Sequence, residues 1–183
     1  MKSNARLTLS LLFLLLTAAS LANASDNKRS GFWFGLGVGL ESITSYEIGI
    51  PDHHRRFGFQ GSLDLGVGVS DQVLLLLSGH LTTNSKPDPP YDKVVWLEPA
   101  VIVRYYFKPS VPSFYLFAGP AAGIGTGLTR YEEVIGAGGI GVTAGGGYQF
   151  ERHLQIQVGI LRATELGDAT FTSIHTSLNL VFY

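Results

Sequence analysis

From Gly31 onward, apolar residues alternate with small or polar ones at a period of two. Phe32, Phe34, Leu36, Val38 and Leu40 fall on one face, and Trp33, Gly35, Gly37, Gly39 and Glu41 on the other. Successive side chains of a strand point to opposite sides, so the pattern predicts a strand with one apolar face. It returns over 57–69, where Phe57, Phe59, Leu63, Leu65, Val67 and Val69 oppose Gly58, Gln60, Ser62, Asp64, Gly66 and Gly68. Over 72–81, Val73, Leu75, Leu77 and Leu81 oppose Gln72, Ser78 and His80, although Leu74 and Leu76 blur the alternation. Over 94–107, Val95, Leu97, Val101, Val103, Tyr105 and Phe107 oppose Glu98 and Arg104. Segments 114–125 and 135–150 are rich in glycine and alanine, and their phase is weaker. Over 154–161, Leu154, Ile156, Val158 and Ile160 oppose Gln155, Gln157 and Gly159. The last segment, 171–182, sets Ile174, Leu178, Leu180 and Phe182 against Ser173, His175, Ser177 and Asn179.

Eight strands are therefore expected, each near or above the roughly 9–11 residues that cross a bilayer when tilted. A ten-stranded sheet stays open, because Tyr46–Ile50 can add to another strand or lengthen a hairpin. Helix fails on composition, since each interior glycine costs about 0.8–1 kcal/mol relative to alanine and these segments hold several apiece. Inside a narrow barrel the same glycines make room and let the sheet bend.

The connections alternate in length. Residues 42–56, 82–93, 126–134 and 162–170 form long ones, whereas 70–71, 108–113 and 151–153 form short turns containing Ser70-Asp71, Lys108-Pro109-Ser110 and Glu151-Arg152-His153. Long loops on one side and tight turns on the other suit a membrane meander with both termini on the turn side. Phe32, Trp33, Tyr105, Phe107, Phe114, Tyr148, Phe150, Phe182 and Tyr183 sit at strand ends on that side, as half of an aromatic girdle. Phe57, Phe59 and Phe171 form a thinner half opposite.

The start of the chain adds an export reading. Lys2 and Arg6 precede an apolar run from Leu7 to Leu16, then Ala22-Asn23-Ala24 offers a small-x-small cleavage signal. Residues 1–24 are expected to be a signal peptide, leaving 25–183 as the barrel; an uncleaved anchor is the alternative. The run falls short of the about 20 apolar residues of a spanning helix. Composition agrees: 15% charged residues is low for a soluble domain, with 23 glycines. The absence of cysteine excludes disulfides, thiolate zinc sites, cysteine nucleophiles and a lipidated amino-terminal cysteine. With 13 basic and 14 acidic side chains there is no electrostatic case for nucleic acid.

The leader, the alternating strands, the alternating loop lengths and the terminal Leu178-Asn179-Leu180-Val181-Phe182-Tyr183 resemble small eight-stranded outer-membrane barrels of Gram-negative bacteria. Phe114-Tyr115-Leu116-Phe117-Ala118-Gly119-Pro120 is similar to porin-like and surface-antigen barrel domains. The resemblance implies a closed all-β, antiparallel, up-and-down transmembrane barrel in the outer membrane, delivered by the barrel assembly machinery. The family's carboxyl-terminal assembly signal ends in an aromatic with apolar residues two and four positions earlier. Counting from Tyr183 meets Val181 and then Asn179, whereas counting from Phe182 meets Leu180 and Leu178.

Candidate chemistry is sparse. Asp64, His80, Glu98, Arg104 and His175 take the inward phase and are expected to form a polar network that fills the lumen, with a selective pore as the alternative. His175 and Ser177 resemble, in spacing, the pair used by outer-membrane lipid A deacylases. They are expected to point inward, however, and no acidic residue follows to complete a triad, with Glu165 and Asp168 available only from a loop. Gly136-Ala137-Gly138-Gly139-Ile140-Gly141 matches a dinucleotide fingerprint but is followed by alternation, not helix. Gly31-Phe32-Trp33 is similar to the lipocalin opening, yet a soluble barrel needs polar outer faces. Asp52, His53 and His54 form no convincing metal set, because adjacent histidines rarely meet one ion. Arg55, Arg56, Arg130 and Arg162 lie near the long-loop rim, where guanidinium suits lipopolysaccharide phosphates. Neither cofactor, metal nor catalytic residue is expected. The predicted role is non-catalytic: envelope structure or surface interaction through Ile43–Arg56 and Thr82–Lys93, with a narrow pore or transporter as runner-up and a lipid A-modifying hydrolase third.

Overall fold

The computed structural model describes residues 28–47, 54–84, 91–129, 134–165 and 169–183. They form β1 (Gly31–Glu47), β2 (His54–Gly68), β3 (Val73–Asn84), β4 (Tyr91–Tyr106), β5 (Ser113–Thr129), β6 (Val134–Glu151), β7 (Leu154–Glu165) and β8 (Ala169–Phe182). Each pairs antiparallel with its neighbours in sequence, and β1 pairs with β8 from Phe34↔Phe182 to Glu47↔Ala169, which closes the barrel. The eight-strand reading holds. The ten-strand alternative does not, because Tyr46 and Glu47 only prolong β1. Closure gives the sheet no free edge, so every strand finds backbone partners on both sides.

The strands reach further into the expected long loops than the hydrophobic pattern shows. β1 and β2 stay paired out to Ser45↔His54, and β5 and β6 to Leu128↔Val134. The ladders there are carried by backbone pairing, which needs no period-two alternation of side chains. The β4–β5 ladder is interrupted around Pro99 and Pro120, each lacking an N–H to donate.

The predicted faces are those observed. Leu36, Val38, Leu40, Leu63, Leu75, Leu77, Leu97, Val101, Val103, Ile156, Val158, Ile174, Leu178 and Leu180 stand exposed around the outside. The residues that blurred the pattern have an inward reason. Leu74 and Leu76, with Ile102, Leu161 and Val181, are fully buried in an apolar share of the lumen.

Three aromatics need correcting. Trp33, Phe171 and Tyr183 are buried inside rather than standing in a girdle. Their phase sets them inward, and each fills lumen volume: Phe171 packs edge-to-face on Trp96 at 4.7 Å. Gly123 and Gly125 lie where a Cβ would collide with those two rings. The outward aromatics do cluster at the turn end, with Tyr105–Phe107 at 5.6 Å and Phe114–Tyr148 at 4.5 Å, while Phe34, expected on the exposed face, is buried with its ring 6.1 Å from that of Phe182. Phe182, Leu180 and Leu178 all face outward while Tyr183 turns in, so the outward terminal aromatic is Phe182.

Candidate functional site

Among the described residues the exposed face is mainly apolar, and the buried polar side chains gather in the lumen. Inward-facing polar side chains stack in three layers. Layer one, at the turn end, is held by Arg29, a residue the sequence pattern does not single out because it precedes the first strand. Its Nε donates to Gln149 Oε1 at 2.9 Å, and its Nη1 donates to the carbonyls of Lys108 (2.9 Å), Pro109 (3.0 Å) and Asp71 (3.2 Å). The guanidinium also lies 3.8 Å from the Tyr106 ring centroid. One cation thus ties two turns and the β6 end across the mouth of the barrel. Gln149 Nε2 continues the layer to Tyr183 Oη at 3.2 Å and the Arg152 carbonyl at 2.9 Å.

The second layer is an ion pair. Arg104 Nη2 donates to Asp64 Oδ2 at 2.9 Å and to Gln157 Oε1 at 3.0 Å. Arg104 is fully buried, 5.0 Å from the Trp33 ring and 4.9 Å from the Tyr115 ring. Asp64 Oδ1 accepts from Ser78 Oγ at 2.5 Å, and Tyr115 Oη donates to Gln157 at 3.3 Å. A carboxylate and a guanidinium removed from water need this degree of pairing.

The third layer, nearer the hairpin end, gathers Glu41, His80, Glu98 and His175, all buried. The register creates it: His80 lies directly across from Glu98, and Glu41 across from His175. The two imidazoles meet edge-to-face at 4.3 Å, and His80 Nδ1 is 4.0 Å from Glu98 Oε2. Glu98 Oε1 accepts from Trp96 Nε1 at 2.9 Å, and Glu41 accepts from Thr82 Oγ1. Gly159 leaves the space the His175 ring occupies.

The five inward candidates therefore fall in two neighbouring layers, Asp64 and Arg104 in one and His80, Glu98 and His175 in the next. Sequence reasoning missed Glu41 as their companion, although its phase places it inside. Ser177 sits in the lumen, buried, accepting from Asn179 Nδ2 at 3.0 Å. A lipid acyl ester outside the barrel does not reach it, and neither ring nitrogen of His175 is hydrogen-bonded to it. Gly136–Gly141 lies within β6, which continues as strand. Of the rim arginines, Arg162 is exposed on β7, while Arg55 and Arg56 lie in β2 opposite Thr44 and Ile43. Arg130, the leader, Asp52 and His53 lie outside the described residues.

No family model matches the chain, and no curated protein matches it in sequence. Solved structures do match. Ail, the attachment invasion locus protein of Yersinia pestis, is similar at 12% identity and a TM-score of 0.59, over 84% of this chain and 99% of Ail. Ail in complex with the heparin analogue sucrose octasulfate matches at 12% identity and a TM-score of 0.55, over 83% and 99%. Neisserial surface protein A matches at 12% identity and a TM-score of 0.57, over 80% and 96%. At this identity the likeness is one of fold, and the shared fold is the eight-stranded outer-membrane β-barrel.

Proposed function

We propose that the chain is an integral outer-membrane protein, exported behind a cleaved leader of residues 1–24, that serves envelope structure or surface interaction without catalysis. The observation carrying this reading is the filled interior: large side chains such as Trp33, Arg104, Tyr106, Tyr115, Leu74, Leu76 and Ile102 are fully buried inside the barrel. About eight strands enclose only enough space for side chains, so a lumen packed this way leaves the hairpins as the working surface. Reconstituted into planar bilayers, the protein is expected to show no steady conductance steps. Stable unitary currents would replace this reading with that of a pore.

The rim supplies the interaction. Arg55, Arg56, Arg130 and Arg162 are the guanidinium groups this reading assigns to the phosphates of lipopolysaccharide, and the outward Leu178, Leu180 and Phe182 suit recognition by the barrel assembly machinery. Ail's complex with a polysulfated sugar is a precedent, on the same fold, for anion contact. Changing the four arginines to glutamine is expected to slow folding into vesicles containing lipopolysaccharide while leaving folding into phosphatidylcholine unchanged. Equal slowing in both lipids would remove the specific contact.

A further inference from the structure

The third lumen layer packs two carboxyls and two imidazoles together out of water. Glu41 and Glu98 are neighbouring buried carboxyls. The arginine in the adjacent layer is already committed to Asp64. Both nitrogens of His175, one oxygen of Glu98 and one of Glu41 lack a hydrogen-bond partner of good geometry. Buried groups of this kind normally find one.

We propose that His80, Glu98 and His175 form a binding site for a divalent transition-metal ion, zinc foremost, inside the barrel. One ligand atom from each residue lies within 4.8 Å of the other two. Ligands at about 2.0–2.1 Å from zinc stand about 3.4 Å apart in a tetrahedron. Small rotations of the two rings and the carboxylate close that difference. Two imidazoles and one carboxylate suit zinc and its first-row neighbours, not calcium or magnesium, which take oxygen ligands.

The surroundings fit as well. His80 Nε2 lies 3.5 Å from Ser78 Oγ, which donates to Asp64, so an outer-shell chain turns His80 Nδ1 toward Glu98. Trp96 holds the other Glu98 oxygen, orienting the free one inward. Glu41 stands beside the set as the charge that completes neutralisation. The ligands come from β3, β4 and β8, so the ion would pin strands on opposite sides of the closure seam.

The test uses the full barrel, refolded in detergent from chelator-treated protein, with zinc either present during refolding or added afterwards, then desalted. One zinc per chain is expected in at least one arm, and cobalt(II) substituted for it should show visible bands of nitrogen–oxygen ligation. The His80→Ala and His175→Ala variants should each lose affinity beyond the about 10–100-fold that outer-shell changes bring. A variant carrying His53→Ala and His54→Ala should keep full stoichiometry. Heat-modifiable gel migration verifies folding, and His175→Gln replaces His175→Ala if the latter does not fold. Zinc should also raise the unfolding midpoint of the parent protein but not of Glu98→Gln. No uptake in either arm, unchanged uptake in the His80→Ala and His175→Ala variants, or loss with the His53→Ala and His54→Ala variant would each overturn the site.

Discussion

Replacing Arg104 with alanine is expected to cost about 3–5 kcal/mol of folding stability, because it strands a carboxylate in the barrel interior. Asp64 would keep only its bond from Ser78 Oγ, and Gln157 would lose one of its two donors. The rings of Trp33 and Tyr115 would each lose the guanidinium that now lies 5.0 Å and 4.9 Å from them. Equilibrium unfolding by urea in detergent or lipid measures this directly, with heat-modifiable migration as a rapid check. A pair of companion variants separates charge from volume. Asp64→Asn together with Arg104→Met removes both charges while filling most of the space. Exchanging a buried ion pair for neutral residues is often neutral or stabilising. The double variant should therefore recover most of the loss. If Arg104→Ala is instead as stable as the parent, the layer is wet, and water rather than arginine solvates Asp64. That outcome would also weaken the filled-lumen reading on which the absence of conductance rests.

What was legible before the structure follows from what period two encodes. Alternation reports which face of a strand meets hydrocarbon, so the outward sets around Val101, Val158 and Leu178 needed nothing further. It says little about aromatics, since a ring suits a membrane interface and a tight lumen equally well. Trp33 and Tyr183 were at the right end of the barrel but on the inner side. The site depends on quantities the pattern does not carry. His80 meets Glu98 because of the β3–β4 register, and a two-residue slip would keep every face and bring Trp96 or Ala100 opposite instead. Glu41 meets His175 only because β1 closes on β8, a pairing set by the stagger of the whole barrel. Arg29 lies before the first strand, with no alternation to place it, yet its three carbonyl partners come from two turns far along the chain.

The same logic gives the outer face a test in which membrane and water predict opposite signs. Leu77 lies on β3, 58% exposed, between Leu65 of β2 and Val101 of β4. It lies four positions along the strand from Val73, which pairs with the girdle residue Tyr105. At about 3.4 Å per residue and a tilt of about 40°, Leu77 stands about 10 Å inside the girdle, near the middle of an apolar band about 25 Å tall. Leu77→Arg is therefore expected to cost about 2–4 kcal/mol in phospholipid vesicles. The same change at Val69, 70% exposed at the turn end beyond β2, should cost about 0–1 kcal/mol. Denaturant unfolding followed by tryptophan fluorescence reads both, since Trp33 and Trp96 are buried inside the barrel. In water an arginine at so exposed a position changes stability by no more than about 0.5 kcal/mol in either direction, and improves solubility. A penalty that fades from Leu77 to Val69 is the signature of depth in hydrocarbon. Equal, negligible effects at the two sites would mean that this belt of leucine and valine is covered by something other than lipid.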